Sequence, residues 1–224
     1  MHPVTTTLDD LVENIQAART ELPCDRSLLV AISGIDGAGK GYVADQLAIA
    51  LQQSGWQTVV INLDPWLHLP DHRFNPDHPG DHFYHHAFRF DDLFELLIQP
   101  LQRHRSVALE IELTGQSGQP RPYVYDLQDV DIILLEGIFL LKRSLLHHYD
   151  RTIWVECSYE TALQRALHRN QENLPPDAII HDYRTLYFPA QAVHQDRDRP
   201  QTIANYRYIN DDAWSESAHA GLIP

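Results

Sequence analysis

Residues 34–41, Gly-Ile-Asp-Gly-Ala-Gly-Lys-Gly, lie between an apolar run at 25–33 (DRSLLVAIS) and a segment of helical spacing at 42–53. A glycine-rich turn that joins a strand to a helix constrains the chain more than any other feature in it. Its glycines permit backbone shapes that aim successive N–H groups inward, and the following helix adds partial positive charge at its N-terminus. The predicted phosphate cradle comprises Gly34, Asp36, Gly37, Ala38, Gly39, Lys40, Gly41 and Tyr42, with Lys40 reaching the outer phosphates. The pattern matches GxxxxGK[ST] except at its end, where Gly41 replaces the hydroxyl that commonly touches Mg²⁺. Water or another side chain is expected to fill that place.

The remaining periodicities supply the frame around this turn. Residues 8–19 carry apolar side chains at helical spacing, and 58–63 reads as a second strand ending at Asp64. Residues 65–89 have no clean period and are rich in Pro, His, Asp and aromatics, which marks a functional or irregular segment. Residues 90–101 are helical again. Residues 107–113 alternate strictly and, with 123–125 beyond the turn signal GQSG at 115–118, predict an antiparallel hairpin. Buried strands follow at 131–136 and 152–157. Ser158 is expected to cap a helix running to about Asn170, a second helix covers about 177–188, and a last short strand covers 206–209. Residues 211–224 read as a frayed tail. Strands alternating with helices predict an α/β fold with a mostly parallel sheet covered on both faces.

The chain has 224 residues, enough for one α/β domain. Its net charge of −14 argues against a nucleic-acid partner, because a polyanion would be repelled by most of the surface. No apolar run approaches the roughly 18–20 residues of a membrane span, so no membrane partner is expected. No secretory leader is visible, and Cys24 and Cys157 show no disulfide or metal framework, which points to a cytoplasmic setting. A homo-oligomer is compatible with all of this. Only two lysines occur, Lys40 and Lys142, and one of them sits in the phosphate turn.

Four side chains outside the turn carry chemistry. Asp64 stands at the carboxyl end of the second strand, the edge that faces the ligand crevice in an open parallel sheet. There a carboxylate can accept a proton from an attacking hydroxyl and also touch Mg²⁺. Glu136 ends the run IILLE, and a buried acid calls for a cation or a donor; a hydrated Mg²⁺ is the natural partner. Arg165 and Arg169 are four apart on one predicted helix face, a spacing that can clamp a transferring phosphoryl group. The six histidines at 68, 72, 78, 82, 85 and 86 raise the possibility of a zinc site. Their lack of a clear helical pairing and the interleaved prolines favour a polar, substrate-facing loop instead.

With these residues in hand, the chain resembles the uridine kinase and phosphoribulokinase group of P-loop kinases. The matching pieces are SGIDGAGKG, NLDPW, AFRFDDLF, the hairpin, ILLEGIF, TALQRALHR and YRTLYFPA, in that order over about residues 27–210. The resemblance implies a single P-loop NTPase domain over 1–224: a three-layer sandwich with an inserted β-hairpin and a helical lid. The substrate segment falls at about 65–127 and the lid at about 159–190. It implies ATP and Mg²⁺ as cofactors, Asp64 as general base, Glu136 as a metal-holding acid, and Arg165 and Arg169 as lid residues over the phosphates. The acceptor is expected near Trp66, Tyr84, His85, Arg89, Glu110 and Glu112. Uridine kinases place an acid for the ribose hydroxyls where His85 stands, and an aromatic and an imidazole where Glu110 and Glu112 stand. Uridine is therefore expected to be poorly accepted, and two acids facing the cavity would favour a cationic or polyhydroxylated acceptor. The predicted activity is ATP- and Mg²⁺-dependent phosphorylation of a small-molecule hydroxyl. Uridine or cytidine kinase proper is the alternative within the class, and a nucleotide-binding regulator without catalysis is the alternative outside it. A GTPase-like switch is disfavoured, since neither lysine follows an asparagine in an N-K-x-D element.

Overall fold

A computed structural model describes residues 3–115, 118–169 and 174–211. The expected turn residues 116 and 117, the helix end at Asn170 and the tail 212–224 lie outside the described residues. A six-stranded, wholly parallel sheet runs in the order β1 (Val4–Thr6), β8 (Tyr206–Ile209), β7 (Arg151–Glu156), β2 (Leu28–Gly34), β6 (Ile132–Glu136), β3 (Thr58–Asn62). β2 is central, so the turn that follows it opens at the middle of the sheet's carboxyl edge, flanked by the ends of β6 and β7.

Alternation along β2 explains the layers. Leu28, Val30 and Ile32 point into one core with Leu11 and Ile15 of α1 (Leu8–Glu21) and Val43 and Leu47 of α2 (Lys40–Gln53). Leu29 and Ala31 point into a second core with Leu93, Leu97 and Leu101. Each such buried side chain contributes about 1.5–3 kcal/mol relative to exposure. β1 is an element that sequence periodicity did not show: three residues, two of them exposed, paired in parallel with β8. α1 then starts with a capping box between Thr7 and Asp10.

The segment 65–89 is more ordered than its composition implies. It holds a 3₁₀ turn at Asp64–Trp66 and two short helices, α3 (Pro70–Arg73) and α4 (Pro79–His86), each begun by a proline at a position where no N–H is needed. Next, α5 (Phe90–Leu93) and α6 (Gln99–His104) are joined through a π turn. The hairpin pairs β4 (Val107–Leu113) with β5 (Arg121–Leu127) in antiparallel register. Its apolar face covers the second core, with Leu113 wholly buried. That fixes Glu110 and Glu112 on the opposite, exposed face, so they do not face the cavity as expected. A strand's period of two leaves no other choice once Val107, Leu109 and Ile111 are turned inward.

The segment expected to form a lid holds α7 (Tyr159–Arg169) and α8 (Pro176–Asp182). The Thr161 amide donates to Ser158 Oγ at 3.1 Å, the expected cap. α8 passes through a π turn into α9 (Phe188–Asp198), well beyond the predicted end, and α10 (Pro200–Ile203) leads to β8. Among the described residues no helix is long and apolar enough to cross a membrane.

Glu156, at the end of β7, is buried, and burial pushes its carboxyl up to about 7. Its neutral form is favoured by folding, so its contribution is full below its unfolded value near 4.5 and is lost as pH rises through about 7. Glu156→Gln should therefore be more stable than the parent at pH 8, by about 1–3 kcal/mol, with the gap closing near pH 5. Denaturant titrations at the two pH values check this, and an equal gap at both would contradict it.

Candidate functional site

The turn after β2 takes its shape from two left-handed residues, Gly37 at φ 82° and Gly39 at φ 84°. A Cβ on Gly37 would lie 2.5 Å from the Ala162 carbonyl oxygen, and one on Gly39 would collide with the Asn210 amide. Only glycine fits both the backbone and the space. Gly39 is also the N-cap of α2 and no side chain caps it, which leaves the first-turn N–H groups for a ligand. The turn is fastened from outside. The Ala38 carbonyl accepts from Asn210 at 2.7 Å and from Arg165 at 3.3 Å, and Tyr183 donates to Asp36 at 2.5 Å. The Ala38 N–H is spent on Ile35, so Ala38 and the wholly buried Gly34 shape the turn and do not line its opening.

A cavity of about 480 Å³ lies over this turn. It brings together Asp36, Gly37, Gly39, Lys40, Gly41 and Tyr42 from the cradle with Asp64, Glu136, Arg165 and Arg169, four side chains predicted from distant parts of the sequence. Parallel register explains the meeting: Asn62 of β3 pairs with Glu136 of β6, and Asp64 follows two residues later. Lys40 is buried and donates to the Ile35 carbonyl at 3.0 Å, folded back on its own turn. Glu136 is raised to about 7, chiefly by burial, with Asp64, Asp45 and Asp36 adding to the rise and Lys40 opposing it.

The buried Glu136 with the half-buried Asp36 and Asp64 on the same cavity fits a cation. Among the described residues no group of three His, Cys, Asp or Glu side chains is placed to hold a metal by protein ligands alone. Mg²⁺ does not require one, since it keeps several waters and binds through one or two carboxylates plus phosphate oxygens. Glu136 also answers the question posed by Gly41. A Cβ at position 41 would lie 3.9 Å from Glu136 Oε1, so the carboxylate borders the space where a serine hydroxyl would stand.

The expected acceptor contacts need correction. Trp66 is wholly buried and donates to the Tyr125 hydroxyl at 3.2 Å, so it belongs to the core. Tyr84 is buried too, its hydroxyl donating to Asp198 at 2.5 Å. His85 and Arg89 line a separate cavity of about 360 Å³ beside Lys142; His85 meets Arg197 at 2.8 Å and Arg89 pairs with Asp92 at 2.7 Å. Helical geometry causes this: on α4, Phe83 faces the site, and the two residues after it are turned away. The histidines contact one another instead, with ring centroids 4.3 Å apart for His68 and His72 and 4.4 Å apart for His82 and His86. The rest of the main cavity's wall includes residues that the sequence reading passed over, namely Leu67, Arg73, Phe74, Phe83, Phe88, Ile138 and Tyr187. The signal for some of them was present in the segment 65–89: an Arg-Phe pair and two further phenylalanines among polar residues.

No family model matches the chain, and no curated protein matches it by sequence. Solved structures do. One described as a possible uridine kinase from Bacillus stearothermophilus superposes with a TM-score of 0.70 at 18% identity, covering 90% of this chain and 96% of that one. A candidate fructose transport system kinase from Silicibacter sp. TM1040 gives 0.69 at 18% identity, covering 90% and 98%. D-glycerate 3-kinase from Cryptococcus neoformans gives 0.62 at 12% identity, covering 92% and 96%. The strand order, the glycine turn after the central strand and these superpositions give the chain the fold of the P-loop kinases of the uridine kinase and phosphoribulokinase type.

Proposed function

We propose that this protein is an ATP- and Mg²⁺-dependent kinase that transfers the γ-phosphoryl group to a hydroxyl of a small molecule. The observation that carries the reading is the single cavity in which Lys40, Asp64, Glu136, Arg165 and Arg169 converge on the glycine cradle. The first-turn N–H groups of α2 bind the phosphates, and Lys40 leaves the Ile35 carbonyl for the outer phosphate oxygens. Asp64 accepts the proton of the acceptor hydroxyl as its oxygen attacks phosphorus and the bond to the leaving diphosphate breaks. Lys40 with both arginines stabilises charge on the moving phosphoryl group. Asp64 and Glu136 are the side chains that would hold Mg²⁺, which supplies charge neutralisation between the outer phosphates. The acceptor is small, and neither nucleic acid nor a membrane is a partner in this reading.

A catalytically silent nucleotide-binding regulator is the weaker alternative. Its best support, Gly41, is offset by Glu136 beside that position and by an intact Asp64 in the same cavity.

Lys40→Ala should weaken ATP binding at least tenfold and abolish transfer, because it removes the one lysine of the cradle. Calorimetric titration with Mg-ATP checks it, and equal affinity in both proteins would overturn the phosphate role. Asp64→Asn should fold and bind ATP normally while turnover falls ~10²–10⁴-fold, the usual worth of a general base. Turnover of an accepted alcohol near the parent rate would remove Asp64 from that role.

A further inference from the structure

We infer that the second cavity, beside Lys142, is a site where a small aldehyde condenses with the Lys142 amine, with the His85 imidazole as the proton carrier. The inference goes beyond the kinase reading and does not rest on it.

Lys142 lies in the loop after β6 and is one of only two lysines in the chain; the proposed phosphoryl transfer uses the other. It lines a cavity of about 360 Å³ together with His85, Arg89, Phe90 and Ser144. Phe88 borders both this cavity and the main one, so the two are neighbours. Lys142 Nζ donates to the Tyr84 carbonyl at 2.5 Å. It stands 4.2 Å from the Tyr84 ring centre, 5.2 Å from that of Phe90 and 5.7 Å from that of Phe139. Among the described residues no carboxylate forms an ion pair with it. Asp198, the acid that attracts it, has its oxygens engaged by Tyr84, His194 and the Arg143 amide.

Rings and a single carbonyl replace the water of this ammonium poorly. Desolvating the charge costs several kcal/mol, while a cation–π contact returns about 0.5–2 kcal/mol. Burial accordingly pulls the amine down to about 8, against Asp198 and with Arg197 of the same helix adding to the fall. The other titratable groups that feel Lys142 are His85 and His86 of α4 and His194 of α9. Near pH 7.5 the neutral fraction is then on the order of 10²-fold larger than that of an ordinary lysine. A desolvated amine of this kind is the one that adds to carbonyl compounds.

The second group is supplied by the same cavity. Arg197 Nη1 meets His85 Nε2 at 2.8 Å, and a guanidinium only donates. Nε2 is therefore the acceptor, the proton sits on Nδ1, and the imidazole is neutral. The Tyr84 ring, which Lys142 Nζ overlies, is 4.8 Å from the His85 ring, so amine and imidazole flank one side chain. In the condensation the amine nitrogen attacks the carbonyl carbon. Protons pass from nitrogen to the former carbonyl oxygen, which leaves as water, and a carbon–nitrogen double bond remains. An imidazole can take up and return those protons. The Ser144 hydroxyl and the Arg89–Asp92 pair give the cavity a polar rim, which suits a small hydroxylated aldehyde.

The test is reductive trapping on the full chain. Glycolaldehyde and cyanoborohydride are added at pH 7.5, and peptide mass mapping follows Lys142, Lys40 and the N-terminal amine, with Nα-acetyl-lysine as the free reference. Lys142 should react about tenfold faster than the reference or more, and its rate should saturate with aldehyde concentration. The rate should level off as pH passes about 8, where the amine is already neutral, while that of the reference keeps rising. His85→Gln should slow Lys142 at least about fivefold and leave the N-terminal amine unchanged. Trapping at Lys142 no faster than the reference would overturn the inference. So would a rate that stays linear in aldehyde, a rate at Lys142 still rising at pH 10, or an unchanged rate in His85→Gln. A lysine that serves only as a strut between α4 and the loop after β6 would give the first of these results.

Discussion

Lys40 makes the acidic end of the sheet tolerable. A chain of net charge −14 sets Asp64, Asp45 and Asp36 near the buried Glu136, whose carboxyl burial pushes toward neutrality and Lys40 draws back. Without a cation among them these carboxylates would repel one another and one would take up a proton. The lysine's reach is set by its place at the start of α2, which is set in turn by two left-handed glycines that admit no Cβ. The turn between β2 and α2 thus places Lys40, while the parallel register of β3 and β6 places Asp64 and Glu136 beside it.

That turn is held from outside by residues of α7, of the π turn after α8 and of the segment after β8. Ala38 is gripped by Arg165 and Asn210, Asp36 by Tyr183, and Gly37 lies against Ala162 with no room for a side chain. Arg165 therefore both positions the turn and lines the cavity. Its removal would disturb both, so a loss of turnover in an Arg165 variant carries less meaning than the same loss in an Arg169 variant, whose side chain is exposed at the cavity and has no such tie to the turn.

That Lys40, Asp64, Glu136, Arg165 and Arg169 would meet at the glycine turn was legible in the sequence because the signals are local or positional. Glycine spacing marks the cradle, and acids that terminate apolar strands mark Asp64 and Glu136, since parallel strands bring all their carboxyl ends to one edge. The helical pair Arg165 and Arg169 needed only a period of 3.6. The acceptor half was not legible for the opposite reason. Which way a side chain of 65–89 faces depends on two short helices whose packing no periodicity reveals, so Trp66, Tyr84, His85 and Arg89 were placed in the cavity while Arg73 and Phe74 were missed. In the hairpin the alternation was read correctly and the wrong face was assigned to the site. Val107, Leu109 and Ile111 are needed by the core, and this turns Glu110 and Glu112 to water. β1 escaped notice because three residues carry no period of their own.

The two halves are built differently, and the difference separates chemistry from choice of acceptor. The side at the glycine turn is backbone, strand ends fixed by the register of the parallel sheet, Lys40, and two arginines of α7. The opposite wall is side chains of short helices and the loops between them, anchored by Tyr84 to Asp198, Lys142 to the Tyr84 carbonyl at 2.5 Å, and Arg73 to the carbonyls of His68 and Gly115. Substituting Phe74 or Phe88 changes the wall and leaves every one of those anchors in place. A fold arranged in this way can keep its phosphate machinery while its acceptor surface diverges, which accords with kinases of different names superposing on this chain at 18% identity or less.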